Sequence, residues 1–176
     1  PSHTGTENLL MAACLASGVT VIENASVEPE VVDLADFLCA MGARIQGAGT
    51  STIQIEGVRR LHGAVYRVMP DRMEAGTFAL AAAITGGRVV IEDSVSLWLG
   101  ALTNKLAEAG VEVTATPHAY EVAAGPAMRA TNIQTYPYPG FPTDLQAPYA
   151  TLMTQATGAS TIYETMYDGR LEYAET

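Results

Sequence analysis

Apolar residues recur along the chain in a block that occurs three times. In the central block, an apolar run at residues 77–85 leads into the β-branched run at residues 89–91. Such a pattern predicts a helix followed by a strand. Residues 6–24 show the same pattern, and a shift of 69 positions places Gly87 on Gly18 and Asp93 on Asn24. A third copy spans residues 146–165, so the spacing indicates a domain of similar helix–strand units and excludes the short solenoid repeats.

The helix predicted at residues 7–17 is apolar on nearly every side, which predicts burial all round. We expect Gly18 to end this helix and Gly110 to end the helix predicted at residues 97–109. Long buried helices alternating with short strands predict an α/β fold of the α+β type, with repeated strand–helix units, buried helices and outer sheets. The predicted helices cover residues 7–17, 28–41, 75–84, 97–109 and 145–156, and the predicted strands cover residues 19–23, 44–46, 52–56, 65–68, 88–92, 112–116, 120–122 and 160–164.

Composition narrows the classes of partner. The chain of 176 residues is 48% hydrophobic, carries a net charge of −10 and has a single lysine, Lys105. This balance disfavours nucleic acid and anionic membranes as partners, although locally placed arginines can still bind an anionic small molecule. No apolar run reaches the roughly 18 residues of a membrane helix, and no signal-peptide pattern occurs.

The cysteines and the chain ends add two expectations. Cys14 and Cys39 lie in apolar helical patterns, which predicts reduced core thiols in a cytosolic protein. The chain starts at Pro1 and ends partway through the third repeat, so we expect a segment of a longer protein.

Candidate chemistry is sparse when the residues are considered alone. Zinc-ligand spacing, glycine-rich phosphate loops and a nucleophile elbow are all missing from the sequence, and we expect no metal or cofactor. The pair Asp71-Arg72 is placed to bind an anion at a helix N-terminus or to form an ion pair between units. Thr143-Asp144 follows a proline-rich loop and precedes a helix, and residue chemistry alone favours a helix N-cap there over a functional role. Arg170 is isolated in the sequence, and a solvated surface charge is as good an interpretation as a functional group. Residue chemistry alone leaves the function open.

Four stretches, however, resemble a known family. They read T-E-N-L-L-M-A-A at residues 6–13, E-P-E-V-V-D at 28–33, Y-R-V-M-P-D-R-M-E-A-G-T-F at 66–78 and Y-P-G-F-P-T-D-L-Q-A at 138–147. They resemble the bacterial UDP-N-acetylglucosamine 1-carboxyvinyltransferases, the enolpyruvyl transferases that begin peptidoglycan precursor synthesis. The resemblance implies two domains of three similar units each, with the active site in the cleft between them. Residues 1–69 would then be the last repeat unit of the first domain, and residues 70–176 part of the second, with one full unit and one incomplete.

The resemblance also implies a reaction and a set of site residues. The enolpyruvyl group of phosphoenolpyruvate is transferred to the 3-hydroxyl of UDP-N-acetylglucosamine through a tetrahedral intermediate, and phosphate leaves. Asp144 matches the family's proton-abstracting aspartate, and Arg170 matches the arginine facing phosphoenolpyruvate. The remaining substrate-binding residues that we expect are Ser2, His3, Thr143, Met166 and Arg72.

The chain departs from the family pattern at several points. The turn at residues 2–6 reads S-H-T-G-T where the family usually has S-V-G-A-T, and Gly169 stands where many members have asparagine. The family's loop cysteine and lysine–asparagine pair would lie upstream of Pro1, and neither Cys14 nor Cys39 is expected to replace that cysteine. We therefore expect a cytoplasmic transferase segment that is inactive alone. The alternatives are a non-catalytic nucleotide-sugar binding module and a related transferase for shikimate phosphate.

Overall fold

The structure is a computed structural model that describes residues 1–93, 98–125 and 127–175. The chain divides into two compact units, Pro1–Met69 (unit 1) and Pro70–Thr176 (unit 2). The helices are α1 His3–Ala13, α2 Pro29–Ala40, α3 Arg72–Ile84, α4 Gly100–Ala109 and α5 Gln146–Met153. The strands are β1 Val19–Glu23, β2 Arg44–Gln46, β3 Thr52–Glu56, β4 Arg88–Glu92, β5 Glu112–Ala115, β6 Ala119–Ala123, β7 Ile133–Gln134 and β8 Ile162–Tyr163. None of the helices in the described ranges is long and apolar enough to span a lipid bilayer.

The first two repeats have the same topology, which confirms the internal duplication. In unit 1 the antiparallel strand order is β1-β3-β2, and in unit 2 it is β4-β6-β5. Asn24 and Asp93, which the 69-position shift superimposes, both adopt left-handed backbone angles, with φ of 56° and 52°. Asn and Asp tolerate this region better than other non-glycine residues. The repeat therefore extends to individual backbone angles.

Each unit has its own apolar core between its helices and one face of its three-stranded sheet. In unit 1, Leu10 of α1 and Val31 of α2 pack against Ile53 of β3. The core of unit 2 is larger, because α5 and the turn before it add residues to those of α3, α4 and the sheet. The buried residues that they add are Leu145, Tyr149, Leu152 and Met153. Mixed helix and strand content with this packing confirms the predicted fold class.

Gly76 and Gln146 stand out at the packing of α3 against α5. A Cβ added to Gly76 would lie 2.5 Å from Leu145 Cδ1, so this close approach requires glycine. Gln146 is fully buried, and neither its Oε1 nor its Nε2 has a hydrogen-bond partner in the described part of the chain.

Three predictions about α1 are wrong. The helix begins at His3, because the Ser2 hydroxyl accepts a hydrogen bond from the Gly5 N–H (3.1 Å) and acts as the N-cap. It ends at Ala13, and Gly18 lies beyond it in the turn before β1. Burial all round is also incorrect, since Leu9 is 54% exposed. The reason is that α2 and the sheet cover only one face of the helix.

Other elements also differ from the prediction. Residues 65–68 are not a strand but an irregular segment, in which the Tyr66 hydroxyl donates to Asp33 Oδ1 (2.9 Å). The fourth helix is observed from Gly100, and the predicted start at residue 97 lies outside the described residues. Cys14 is buried as expected, but Cys39, in the last turn of α2, is exposed, so the prediction of a core thiol is wrong for Cys39.

Candidate active site

Asp144 and Arg170, the two predicted catalytic residues, form an ion pair in unit 2. Asp144 Oδ1 lies 2.5 Å from Arg170 Nη2. The Arg170 guanidinium also lies over the ring of Tyr167, 5.2 Å from its centroid. The Asp144 side chain is 61% exposed, so its carboxylate remains open to a ligand. The pair combines an accessible proton acceptor with a fixed cation.

A short 3-10 turn, Thr143–Leu145, carries Asp144. Thr143 and Leu145 are both buried, whereas Asp144 between them is exposed. The Thr143 hydroxyl donates to Glu164 Oε2 (2.8 Å). The alternative reading of Thr143-Asp144 as an N-cap is wrong, because α5 begins at Gln146 without a side-chain cap. These side chains are engaged with residues distant in sequence and are not used to start the helix.

The proline-rich loop before this turn is closed on itself. The Tyr136 N–H donates to the Phe141 carbonyl and the Gly140 N–H to the Pro137 carbonyl, both at 2.9 Å. A Cβ on Gly140 would lie 2.5 Å from the Tyr136 Cβ, so the fold of the loop requires glycine there. Phe141 is buried and packs edge-on against Tyr149 at 5.2 Å. The loop therefore delivers the chain to Thr143 in a fixed direction.

Arg72 contacts this loop from the start of α3. Asp71 is the N-cap of α3 and accepts hydrogen bonds from the N–H groups of Met73 (2.7 Å) and Glu74 (3.0 Å), so the helix begins three residues before its predicted start. Arg72 is only 4% exposed, and its guanidinium lies 5.3 Å from the centroid of the Tyr138 ring. A buried cation stacked on an aromatic ring is a geometry typical of arginine.

Glu164 is the site residue that the sequence analysis missed. Its Oε1 accepts hydrogen bonds from the Thr135 hydroxyl (2.8 Å) and from the N–H groups of Met166 (2.7 Å) and Tyr167 (3.2 Å). Its Oε2 accepts the bond from Thr143. Burial raises the pKa of Glu164, but these hydrogen bonds outweigh burial, and the pKa is lowered from its ordinary value. No local motif marks this glutamate, because its side-chain donors lie 21 and 29 positions away.

The other predicted site residues lie in different surroundings. Met166 is half-buried beside Glu164 in unit 2. Ser2 and His3 belong to unit 1, where Ser2 caps α1 and His3 Nε2 lies 3.0 Å from Glu7 Oε1. Both are exposed at the start of α1, whereas the sequence predicted a polar turn before the helix. Within the described ranges, no group of three or more His, Cys, Asp or Glu residues is placed to hold a metal ion.

Sequence comparisons place the chain among carboxyvinyltransferases. The family model described as EPSP synthase (3-phosphoshikimate 1-carboxyvinyltransferase) matches residues 1–176. The chain is 53% identical over 170 residues to UDP-N-acetylglucosamine 1-carboxyvinyltransferase 1 of Caldanaerobacter subterraneus subsp. tengcongensis. It is 52% identical over 170 residues to the UDP-N-acetylglucosamine 1-carboxyvinyltransferase of Oleidesulfovibrio alaskensis. Each match covers 97% of this chain and 41% of the relative, so the chain spans about two fifths of the length of these curated relatives.

Solved structures share the fold. The enolpyruvyl transferase NikO from Streptomyces tendae gives a TM-score of 0.85 at 22% identity, over 98% of this chain and 41% of that one. An EPSP synthase from Acinetobacter baumannii gives 0.56 at 21% identity, over 92% of this chain and 38% of that one. At these identities the likeness concerns the fold alone.

Proposed function

The chain belongs to the EPSP synthase (3-phosphoshikimate 1-carboxyvinyltransferase) family, and we propose that it is a segment of the family's UDP-N-acetylglucosamine 1-carboxyvinyltransferases. The acceptor is chosen on relatives that are 52% and 53% identical and carry that name. The reaction forms a bond between the 3-hydroxyl oxygen of UDP-N-acetylglucosamine and C2 of phosphoenolpyruvate. A proton adds to C3, which gives a tetrahedral intermediate. Loss of a C3 proton and cleavage of the C2–O bond to phosphate then leave the enolpyruvyl ether.

Asp144 is the group that takes the proton from the acceptor hydroxyl. A carboxylate suits this role when it is accessible and held within hydrogen-bond reach of the hydroxyl. The observation that carries the proposal is the 2.5 Å contact between the exposed Asp144 and Arg170. In this arrangement Arg170 offers a fixed cation to the phosphate or carboxylate of phosphoenolpyruvate while the base faces the acceptor.

The remaining predicted residues bind substrate. Thr143 and Met166 flank the Asp144–Arg170 pair and contact the nucleotide sugar. Ser2 and His3 contribute from the first turn of α1, where backbone N–H groups at a helix N-terminus attract anions. Arg72 contributes its positive charge from behind the proline-rich loop.

The chain makes only part of an active protein under this proposal. Unit 1 is the last repeat of the first domain, and unit 2 is the first full repeat and an incomplete second repeat of the second domain. The reactive loop cysteine is supplied by residues that precede this segment in the parent protein. The parent acts in the cytoplasm in peptidoglycan precursor synthesis, and through it in cell wall biogenesis, cell shape, the cell cycle and cell division.

The test is phosphate release by a full-length protein that contains these residues, supplied with UDP-N-acetylglucosamine and phosphoenolpyruvate. Asp144→Asn keeps the shape of the side chain but removes the base, so we expect kcat to fall about 10²–10⁴-fold. Asp36→Asn, an exposed aspartate on α2, is the matched control and should leave kcat unchanged. Undiminished turnover by Asp144→Asn would remove Asp144 from the mechanism.

The same protein separates the alternative functions. Turnover with shikimate 3-phosphate in place of the nucleotide sugar would reassign the acceptor. The 176-residue chain alone should release no phosphate. If it binds UDP-N-acetylglucosamine tightly in a calorimetric titration while the full-length protein shows no turnover, the chain is a binding module.

A further inference from the structure

We propose that Glu164 is a positioning residue that holds Asp144 and Arg170 together, an inference that rests on the proposed function. The Asp144 and Arg170 side chains are both substantially solvent-exposed, at 61% and 37%. Exposed ion pairs contribute little to stability. The pair therefore does not fix its own geometry, and another contact has to hold the two segments that carry it.

The backbone supplies little of that contact. Arg170 follows β8, which pairs with β7 through only two residue pairs, Ile133 with Ile162 and Gln134 with Tyr163. After Tyr163 the backbone ladder stops, and side chains take over. Each three-stranded sheet, by contrast, contains a five-pair ladder.

Glu164 is placed at the point where the ladder ends. One oxygen accepts the N–H groups of Met166 and Tyr167, which begin the segment that leads to Arg170. The other oxygen accepts the hydroxyl of Thr143, the residue before Asp144. A single carboxylate therefore bonds directly to both chain segments of the pair.

Thr135 extends the contact to a third segment. Its hydroxyl donates to Glu164 Oε1 (2.8 Å) and accepts the N–H of Thr165 (2.9 Å). The Thr165 hydroxyl in turn donates to the Thr135 carbonyl. Glu164 is consequently fixed on both sides and is not a mobile surface carboxylate. The lowered pKa of Glu164 agrees with a carboxylate that acts only as an acceptor.

The experiment measures kcat and KM of the full-length protein with three variants. Glu164→Ala removes all four contacts, and a displacement of about 1 Å at reacting groups costs on the order of 100-fold, so we expect kcat to fall about 100-fold. Glu164→Gln keeps an oxygen for the two N–H groups and Thr135 and an amide that can donate to Thr143. It should retain kcat within about tenfold, because neutral hydrogen bonds are weaker than charge-assisted ones. Glu121→Ala, which removes a glutamate paired with Arg88 on the outer sheet, is the control and should keep wild-type kcat and KM.

Two kinetic results would overturn the proposal. Glu164→Ala with wild-type kcat would show that the pair holds itself. Glu164→Gln as inactive as Glu164→Ala would show that the charge of Glu164, and not its geometry, is needed.

A double-mutant cycle separates positioning from general destabilisation. Thr143→Val removes the hydrogen bond to Glu164 Oε2 and leaves the other three contacts of Glu164 in place, so it is the milder variant should Glu164→Ala not fold. If Glu164 acts through Thr143, the loss of kcat caused by Thr143→Val should be much smaller in the Glu164→Ala background than in the wild type. Strictly additive effects would contradict the proposal.

Hydrogen exchange distinguishes failure of this inference from failure of the proposed function. If the wild-type protein shows no phosphate release, the function is wrong, but the exchange test still applies. The amides of Met166 and Tyr167 should exchange faster in Glu164→Ala than in the wild type, whereas those of β6 should not change. Unchanged exchange at both amides would overturn the role of Glu164 whatever reaction the protein catalyses.

Discussion

The two three-stranded sheets and the β7–β8 region are held together by different kinds of bond. In the sheets, backbone ladders of up to five pairs fix the register, and apolar side chains pack the inner face. Around β7 and β8 the ladder has two pairs, and side chains continue it at both ends. The residues that form these side-chain hydrogen bonds are Thr131, Asn132, Thr135, Thr143, Ser160, Glu164 and Thr165.

The difference teaches where residue identity matters for structure and where it matters for chemistry. A ladder needs only backbone groups, so a sheet tolerates many outward-facing side chains as long as its inner face stays apolar. A side-chain hydrogen bond needs a particular donor or acceptor at each position. We therefore expect the sheets to govern global stability and the β7–β8 region to govern the geometry of the site.

The largest expected effect is on the packed side of the comparison. Leu106→Ala removes a fully buried side chain of α4 and should lower the free energy of unfolding by about 2–5 kcal/mol. Chemical denaturation of the chain, followed by far-UV circular dichroism, measures it. Val90→Thr, at an exposed position of β4, is the control and should stay within about 0.5 kcal/mol. Equal losses for both would mean that the core of unit 2 is not packed as described.

The next effect is a backbone effect beside Arg170. Gly169 has a φ of 75°, and an added Cβ would meet Glu172 Oε1 at 2.8 Å. Gly169→Val should cost about 1–2 kcal/mol, because a β-branched residue is strained in the left-handed region. Gly169→Asn, the residue that many relatives are expected to carry, should cost less. If valine and asparagine were equally tolerated in denaturation experiments, the left-handed conformation at this position would be wrong.

Acid should weaken the hydrogen bonds that Glu164 makes in the β7–β8 region. Because the pKa of Glu164 is lower in the folded chain than its ordinary value of 4.5, its ionised form stabilises the fold above that pH. This contribution is lost as the pH falls through the folded-state pKa. The difference in unfolding free energy between the wild type and Glu164→Gln should therefore narrow between pH 7 and pH 3. A difference that widens with acid would reverse the sign and refute the assignment.

The smallest effect belongs to the outer faces of the sheets. Arg44–Glu56 in unit 1 and Arg88–Glu121 in unit 2 are cross-strand ion pairs on exposed surface. Arg44→Gln and Arg88→Gln should each change the unfolding free energy by less than about 1 kcal/mol, and added salt should reduce the change further. A larger loss for either variant would mean that the sheets also depend on specific polar contacts.

The sequence predicts the laddered regions well because their signals are local. β1, β2, β3 and β4 were predicted with the bounds that the structure has, and the pattern of period two that marks them lies within a few residues. The errors arise where a distant or polar partner decides. Residues 65–68 have strand-like composition but bond to Asp33 through Tyr66 instead of a neighbouring strand.

The site could be predicted only in part for the same reason. Asp144 and Arg170 were identified through a resemblance, and their 2.5 Å contact required the fold to close 26 positions of chain. Glu164 carries no signal of its own, because a glutamate at the end of a short strand reads as a solvated charge. Its structural role depends on the hydroxyls of Thr135 and Thr143, which are distant in sequence and reach it only in the folded chain.

Asn24 and Asp93 differ in residue type and charge, yet both adopt left-handed backbone angles at matching positions of two repeats. Swapping them, as Asn24→Asp or Asp93→Asn, therefore exchanges side chains that are both suited to these angles, whereas valine is suited to neither position. The duplication is therefore visible in the backbone torsion angles even where the residue type has changed. A search for duplicated segments gains from treating Asn and Asp as equivalent at such positions.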